Sequence, residues 1–185
     1  QAMETAVIMG AGQVGLLGVA AARACGAKQI ILCGRTQDTA LGFPAAEQLG
    51  ATALIDTDRD DAAARVLAMT GNVGADIVLE ASGASACINA AMAMVKAGGL
   101  ITVMGGTRQD TVPVTWDACL RKAVRVCFHM KSNYQYMDRA IALLAEGSNS
   151  LAPVVTGEYS LSDWQAAFQA IEERRCIKNV LLLPN

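Results

Sequence analysis

The sequence predicts an α/β fold: a doubly wound parallel sheet of about six strands with helices on both faces, followed by a carboxy-terminal helix and strand tail. Three observations carry this prediction. Short apolar runs recur roughly every 25 residues, the period of a strand-plus-helix unit rather than of a solenoid repeat. Each run is continuous rather than alternating, as expected of strands buried on both faces. Helical stretches closed by glycine separate the runs.

Taken in order, Ala6-Val7-Ile8-Met9 reads as the first buried strand, ending at Gly10. Val14 to Cys25 is helical and stops at Gly26. Ile30-Ile31-Leu32-Cys33 is a second strand, Ala45 to Leu49 a helix closed by Gly50, and Ala53-Leu54-Ile55 a third strand. Asp60 to Met69 is helical, with acids in its first turn where the dipole favours them. Asp76 to Glu80 is the fourth strand, and Ser85 to Val95 a helix that runs out at Gly98-Gly99. Leu100 to Met104 is the fifth, followed by a Gly105-Gly106 turn.

After Pro113 the rhythm changes. Trp116 to Lys122 reads as a short helix, Val124 to Phe128 as another strand, and Met137 to Ala145 as a helix closed by Gly147. Ser162 to Glu173 is amphipathic, with Trp164, Ala167, Phe168 and Ile171 on one face and Ser162/Gln165 as a capping box. Val180 to Leu183 is a final strand cut off by Pro184. This tail is not expected to form another clean βα unit.

Composition narrows the function. The 185 residues are 53% hydrophobic but only 4% aromatic, and include 17 Gly. That excludes disorder and favours closely packed helices and strands. With 15 Lys+Arg against 17 Asp+Glu, there is no electrostatic footprint for nucleic acid or an anionic membrane. Thr5 to Ala22 carries no charge, but its glycines and the lack of a basic leader argue against a signal peptide or membrane span. The six cysteines, Cys25, Cys33, Cys87, Cys119, Cys127 and Cys176, include no C-x-x-C pair, and only His129 could supplement them. No zinc site is expected. Most lie in apolar runs, so buried, reduced thiols and a cytoplasmic location are expected.

Gly10-Ala11-Gly12-Gln13-Val14-Gly15 matches G-x-G-x-x-G between a strand and a helix. In a Rossmann-type site the first glycine makes the tight turn, the second admits a pyrophosphate, and the third lets helix and strand pack closely. Backbone N–H groups and the helix dipole then face the phosphates. At the end of the second strand, where an NAD site places a carboxylate for the ribose 2′-OH, the chain reads Gly34-Arg35-Thr36. Gly34 leaves room for a 2′-phosphate, Arg35 supplies a planar charge-assisted donor and Thr36 a hydroxyl. NADP(H) is therefore favoured over NAD(H).

With these residues, the chain resembles the cofactor-binding half of the medium-chain dehydrogenase/reductase family, on its zinc-dependent alcohol and polyol (sorbitol/threonine-type) side. The resemblance rests on Ala6 to Ala27 (AVIMGAGQVGLLGVAAARACGA), Gly74 to Gly83 (GADIVLEASG), Lys96 to Gly105 (KAGGLITVMG) and Leu161 to Leu183 (LSDWQAAFQAIEERRCIKNVLLL), all in family order. It implies that Gln13 and Val14 cover the pyrophosphate and nicotinamide at the helix start. It places Ala81 and Gly83 on the adenosine side, Met104 and Gly105 on the nicotinamide side, and Lys178 at the pyrophosphate. It also implies a homodimer paired through the edge strand Val124 to Phe128; His129 just beyond it is placed to face the nicotinamide end of the cleft, but a lone histidine is more often structural and it is not assigned to the site.

The resemblance divides the chain into residues 4–130, an NADP(H)-binding domain, and residues 131–185, a tail that would pack on an amino-terminal catalytic domain. That domain would hold the zinc ligands and the proton-relay hydroxyl, so this chain is expected to be a fragment that binds cofactor without turning over substrate, and no catalytic residue is assigned to it. A zinc-free quinone or enoyl reductase of the same superfamily and a free-standing dinucleotide sensor are the alternatives. A short-chain dehydrogenase is disfavoured because Tyr134, Tyr136 and Tyr159 lack a lysine four residues on. The spacing of the glycines and the absence of an acid at Gly34 disfavour a methyltransferase.

Overall fold

The computed structural model describes residues 4–145 and 150–184. Along the chain run β1 (Thr5–Met9), α1 (Gln13–Ala24), β2 (Gln29–Gly34), α2 (Gly42–Leu49), β3 (Ala53–Asp56), α3 (Ala62–Met69), β4 (Ala75–Glu80) and α4 (Ser85–Met94). They continue as β5 (Val95–Val103), α5 (Trp116–Lys122), β6 (Arg125–Phe128), α6 (Tyr134–Ala145), β7 (Val155–Ser160), α7 (Trp164–Glu172) and β8 (Lys178–Leu182). Six strands form one sheet in the order β3-β2-β1-β4-β5-β6, every neighbouring pair parallel. This is the expected doubly wound sheet.

The continuous apolar runs reflect cores on both faces. Successive side chains of a strand point to opposite sides. Ala6, Ile8, Ile30 and Leu32 therefore join Leu16, Val19, Phe43 and Leu49 on the α1–α2 side. Val7, Met9, Ile31 and Cys33 join Ile55, Val66, Val78 and Met94 on the α3–α4 side. The Ala and Gly content serves close approach. A Cβ on Gly18 would overlap the end of the Leu79 side chain, which would have to shift, so α1 lies close against the sheet there.

Asp76 ties three strands together at their amino-terminal edge. Its Oδ2 accepts from Thr5 N (2.8 Å) and Glu4 N (3.1 Å), and its Oδ1 pairs with Lys96 at the start of β5. Burial pushes its pKa up, but the Lys96 contact and the two backbone donors outweigh this and hold it below the usual carboxylate value. A depressed folded pKa contributes stability that is full above the unfolded value of about 3.9 and is lost as pH falls through the folded value. Asp76→Asn should cost about 1 kcal/mol at neutral pH. In urea melts across pH its deficit relative to wild type should shrink below about pH 4 as the wild-type carboxylate protonates.

Several expectations are corrected. The helix before β5 ends at Met94, and the strand starts at Val95 rather than Leu100. A register shift opposite Ala75 and Ile77, with Gly98 at φ +69°, absorbs the extra residues. In α3 the acid caps rather than occupies the first turn: Asp61 Oδ1 accepts from Ala64 N at 3.1 Å. Helix α6 begins earlier, at Tyr134, and its expected terminator Gly147 lies outside the described residues.

The tail differs most. β7 was not anticipated, and β7, α7 and β8 do form a further unit, with the two strands paired in parallel as a separate sheet. The Ser162–Gln165 capping box is absent. Leu161–Asp163 forms a 3-10 turn and α7 starts at Trp164, with no side-chain cap. The hydroxyls are satisfied locally instead: Ser160 Oγ lies 2.6 Å from Ser162 Oγ and donates to Asp163 Oδ2 at 2.6 Å. On α7 the buried residues are Ala167 and Ala170, while Trp164, Phe168 and Ile171 are exposed. Trp164 and Phe168 pack edge to face with centroids 5.9 Å apart. Val154, with Leu151 and Ile177, seats the tail on the α1–α2 core.

Of the cysteines only Cys33 is fully buried; all six are free, and Cys25 and Cys127 are exposed. Their position in apolar runs did not predict burial, because Cys25 sits at the solvent end of α1 and Cys127 on an edge strand.

Candidate functional site

Strands β1 and β4 are adjacent, and the chain winds away from them in opposite directions. At such a switch point the loops beyond the carboxyl ends of the strands part and leave a crevice. A cleft of about 740 Å³ lies there, bordered by the β1–α1 turn, the segments after β2, β3 and β4, and the turn between α7 and β8.

The fingerprint glycines divide the work by geometry. Gly10 turns the chain with φ +112°, and its N–H donates to the Cys33 carbonyl at 2.8 Å. Gly12 is the extended residue preceding α1, and that helix end has no side-chain cap. A Cβ on Gly12 would meet nothing, whereas one on Gly15 would overlap the Gly10 carbonyl oxygen. The helix start is thus uncapped, open at Gly12 and locked to the strand at Gly15, and its free N–H groups suit an anion.

The ends of β4 and β5 are joined by a residue that sequence reasoning overlooked. Glu80 is fully buried. Its Oε1 accepts from Ser82 N (2.9 Å), Ser82 Oγ (2.5 Å) and Gly83 N (3.0 Å), and its carbonyl accepts from Met104 N (2.8 Å) and Gly105 N (3.0 Å). Oε2 is buried without a partner among the described residues. An acid inside an apolar strand signals such a bracket, because a buried carboxylate demands donors.

At the end of β2, Gly34 is buried, and a Cβ there would overlap the Phe43 ring. Arg35 Nε donates to Asp58 Oδ1 and Thr36 N to Asp58 Oδ2, both at 3.1 Å. The bond from Arg35, then that from Thr36, holds Asp58 below the usual carboxylate range. The Thr36 hydroxyl donates to Asp56 Oδ2 at 2.6 Å. The carboxylate that the sequence lacks at Gly34 is present in space: Asp38, brought back by a 3-10 turn, accepts from Arg35 N at 2.8 Å and borders the cleft. Cys33 and Cys87 also border it, and burial, then Cys87, push the Cys33 thiol up to about 12, so it stays protonated.

Of the anticipated residues, Gly10, Gly12, Gly34, Arg35 and Ala81 line the cleft. Gln13 and Val14 open α1, with Gly15 buried behind them. Gly83, at φ +71°, lies against the Gly106 carbonyl, and Met104 is half exposed beside Gly105 beyond β5. Thr36 does not line the cleft, and neither does Lys178, which is exposed at the start of β8. Arg174, from the turn before β8, does. His129 is exposed, its N–H bonded to the Val103 carbonyl at 2.9 Å. Among the described residues no group of three or more His, Cys, Asp or Glu is placed to hold a metal, and no helix is long and apolar enough to cross a membrane.

A parallel sheet in this strand order, with a glycine turn and an uncapped helix start at its switch point, defines a Rossmann-type domain. The chain belongs to the zinc-binding dehydrogenase family, whose profile matches residues 14–146. It is 32% identical to a sorbitol dehydrogenase of Bacillus subtilis over 98% of this chain and 51% of that one. It is 30% identical to a zinc-type alcohol dehydrogenase-like protein of Escherichia coli, over 96% of this chain and 49% of that one. Among solved structures, an alcohol dehydrogenase from Thermus sp. ATN1 superposes with a TM-score of 0.91 at 26% identity, covering 100% of this chain and 52% of that one. The chain thus spans about half the length of the relatives it matches.

Proposed function

We propose that this chain is the nicotinamide dinucleotide-binding half of an alcohol or polyol dehydrogenase, with NADP(H) preferred. The observation that carries the reading is the uncapped start of α1 beneath the cleft, open at Gly12 and backed by Gly15. The residues present fit the cofactor: α1 N–H groups receive the pyrophosphate, and the cleft beyond β2 and β3 has the size and polar border for the adenosine half. Bound nicotinamide would supply the hydride donor or acceptor. This chain's own part is to bind and orient: Glu80 fixes the loop Ala81–Gly83, while Met104 and Gly105 border the ring side. Zinc, the substrate site and turnover belong to a catalytic half, so the chain alone binds cofactor without oxidising alcohol. The exposed edge strand β6, with Val126 and Phe128 uncovered, supports pairing with a second copy. Six free thiols suit the reducing cytoplasm.

A second reading, NAD(H), has its own support, since Asp38 stands at the end of β2 and Asp58 engages Arg35. Titration of both cofactors into wild type, Arg35→Ala and Asp38→Asn separates them. The NADP(H) reading expects Arg35→Ala to weaken NADPH roughly tenfold, the value of one lost charge-assisted contact, with NADH unchanged. Tighter NADH binding in wild type, weakened in Asp38→Asn, would favour NAD(H) instead.

A further inference from the structure

Two thiols stand in the wall of the cleft. Cys33 lies one residue from the end of β2 and Cys87 in the first turn of α4, and both border the cavity of about 740 Å³. They are far apart in sequence, but both belong to the packed cluster on the α3–α4 side of the sheet. They are close enough to interact: after burial, Cys87 is the second cause that pushes the Cys33 thiol up to about 12. Neither is in a disulfide.

Their surroundings differ. Cys33 is buried, whereas Cys87 is half-buried. The other residues that α4 and its cap bring to the cleft, Ala84, Ala86 and Ala90, are alanines with no reactive group. Cys33 is also tied to the glycine turn, since its carbonyl accepts from Gly10 N at 2.8 Å. A bond between the two sulfurs would therefore join the α4 wall to the β2 wall beside that turn. Closing the sulfurs to about 2.0 Å draws the first turn of α4 toward β2 and narrows the space between them.

We propose that Cys33 and Cys87 are an oxidisable pair whose disulfide closes the cleft to dinucleotide, with a hydroperoxide as the oxidant. The consequence for binding rests on the dinucleotide reading and adds redox control to that site. Burial sets the order of events. A buried, protonated Cys33 is inert toward peroxide, whereas Cys87 faces the cleft. The Cys87 sulfur attacks the O–O bond of hydrogen peroxide, which breaks, leaving a sulfenic acid on Cys87 and releasing water. The Cys33 sulfur then attacks the Cys87 sulfur. The S–O bond breaks, and the hydroxyl leaves with the Cys33 proton as a second water. The two thiols together lose two electrons, and the peroxide is reduced to water.

The purified chain, treated with hydrogen peroxide and digested without reduction, should yield a linked Cys33–Cys87 peptide by mass spectrometry. Fluorescence titrations of the treated chain should show affinity for NADH and NADPH reduced at least about tenfold, and restored by dithiothreitol. Cys87→Ala, which matches the alanines beside it, should keep through peroxide whatever affinity it has when reduced. The link itself is read on wild type, so the test does not depend on a variant folding. No linked peptide, or a link that leaves both affinities unchanged, would overturn the proposal. A loss of binding shared by Cys87→Ala would overturn it too, assigning the effect to another cysteine. Reduced wild type that binds neither cofactor would instead overturn the dinucleotide reading and, with it, the consequence for binding; a missing peptide with binding intact overturns the pair alone.

Discussion

Gly15→Ala is expected to lower stability by about 3 kcal/mol, the upper end for forcing a methyl group into a packed site, and to abolish measurable dinucleotide binding. The added Cβ would overlap the Gly10 carbonyl oxygen and press on the Ile8 side chain, so α1 must move off β1. That displaces the helix start from the Gly10 turn, and with it the N–H groups proposed to receive the pyrophosphate. Gly12→Ala is the control three residues away. Its Cβ meets no protein atom, so urea unfolding should match wild type within about 0.5 kcal/mol. Its methyl group instead fills space that the proposed phosphate site needs, and binding should fall sharply. Equal binding by Gly12→Ala and wild type would contradict the phosphate site.

Glu80→Leu is expected to be comparably damaging, at about 3 kcal/mol, because unsatisfied donors cost on the order of 1–3 kcal/mol each. Leucine keeps the volume and removes the acceptor for Ser82 N, Ser82 Oγ and Gly83 N. Glu80→Gln retains one oxygen and should lose less. Because the bracketed loop forms the β4 rim of the cleft, the leucine variant should also bind dinucleotide more weakly at temperatures where it stays folded. Thermal melts paired with cofactor titration check both; wild-type stability in Glu80→Leu would mean that the bracket contributes nothing.

The central sheet was legible because its strands are buried on both faces, so β1, β2 and β4 announce themselves as apolar runs. β7 was not, since Thr-Gly-Glu-Tyr-Ser within Val155–Ser160 lies in a small, exposed two-stranded sheet and carries no such run. The apolar stripe on α7 was visible, but its burial was not: Ala167 and Ala170 face the protein and the larger residues face out. At the site, the glycine turn was readable because its role is local. Asp38 and Glu80 were not: a 3-10 turn folds Asp38 back to the end of β2, and Glu80 turns from the buried end of β4 onto the loop that follows it. The Arg35–Asp58 contact spans 23 residues and depends on β2 pairing with β3.

Direct titration of the purified 185-residue chain with NADH and NADPH, read by nicotinamide fluorescence, tests the central claim most directly. Saturable binding of both, tighter for NADPH and lost in Gly12→Ala, is the predicted result. Absence of saturable binding to either cofactor by folded protein would contradict it.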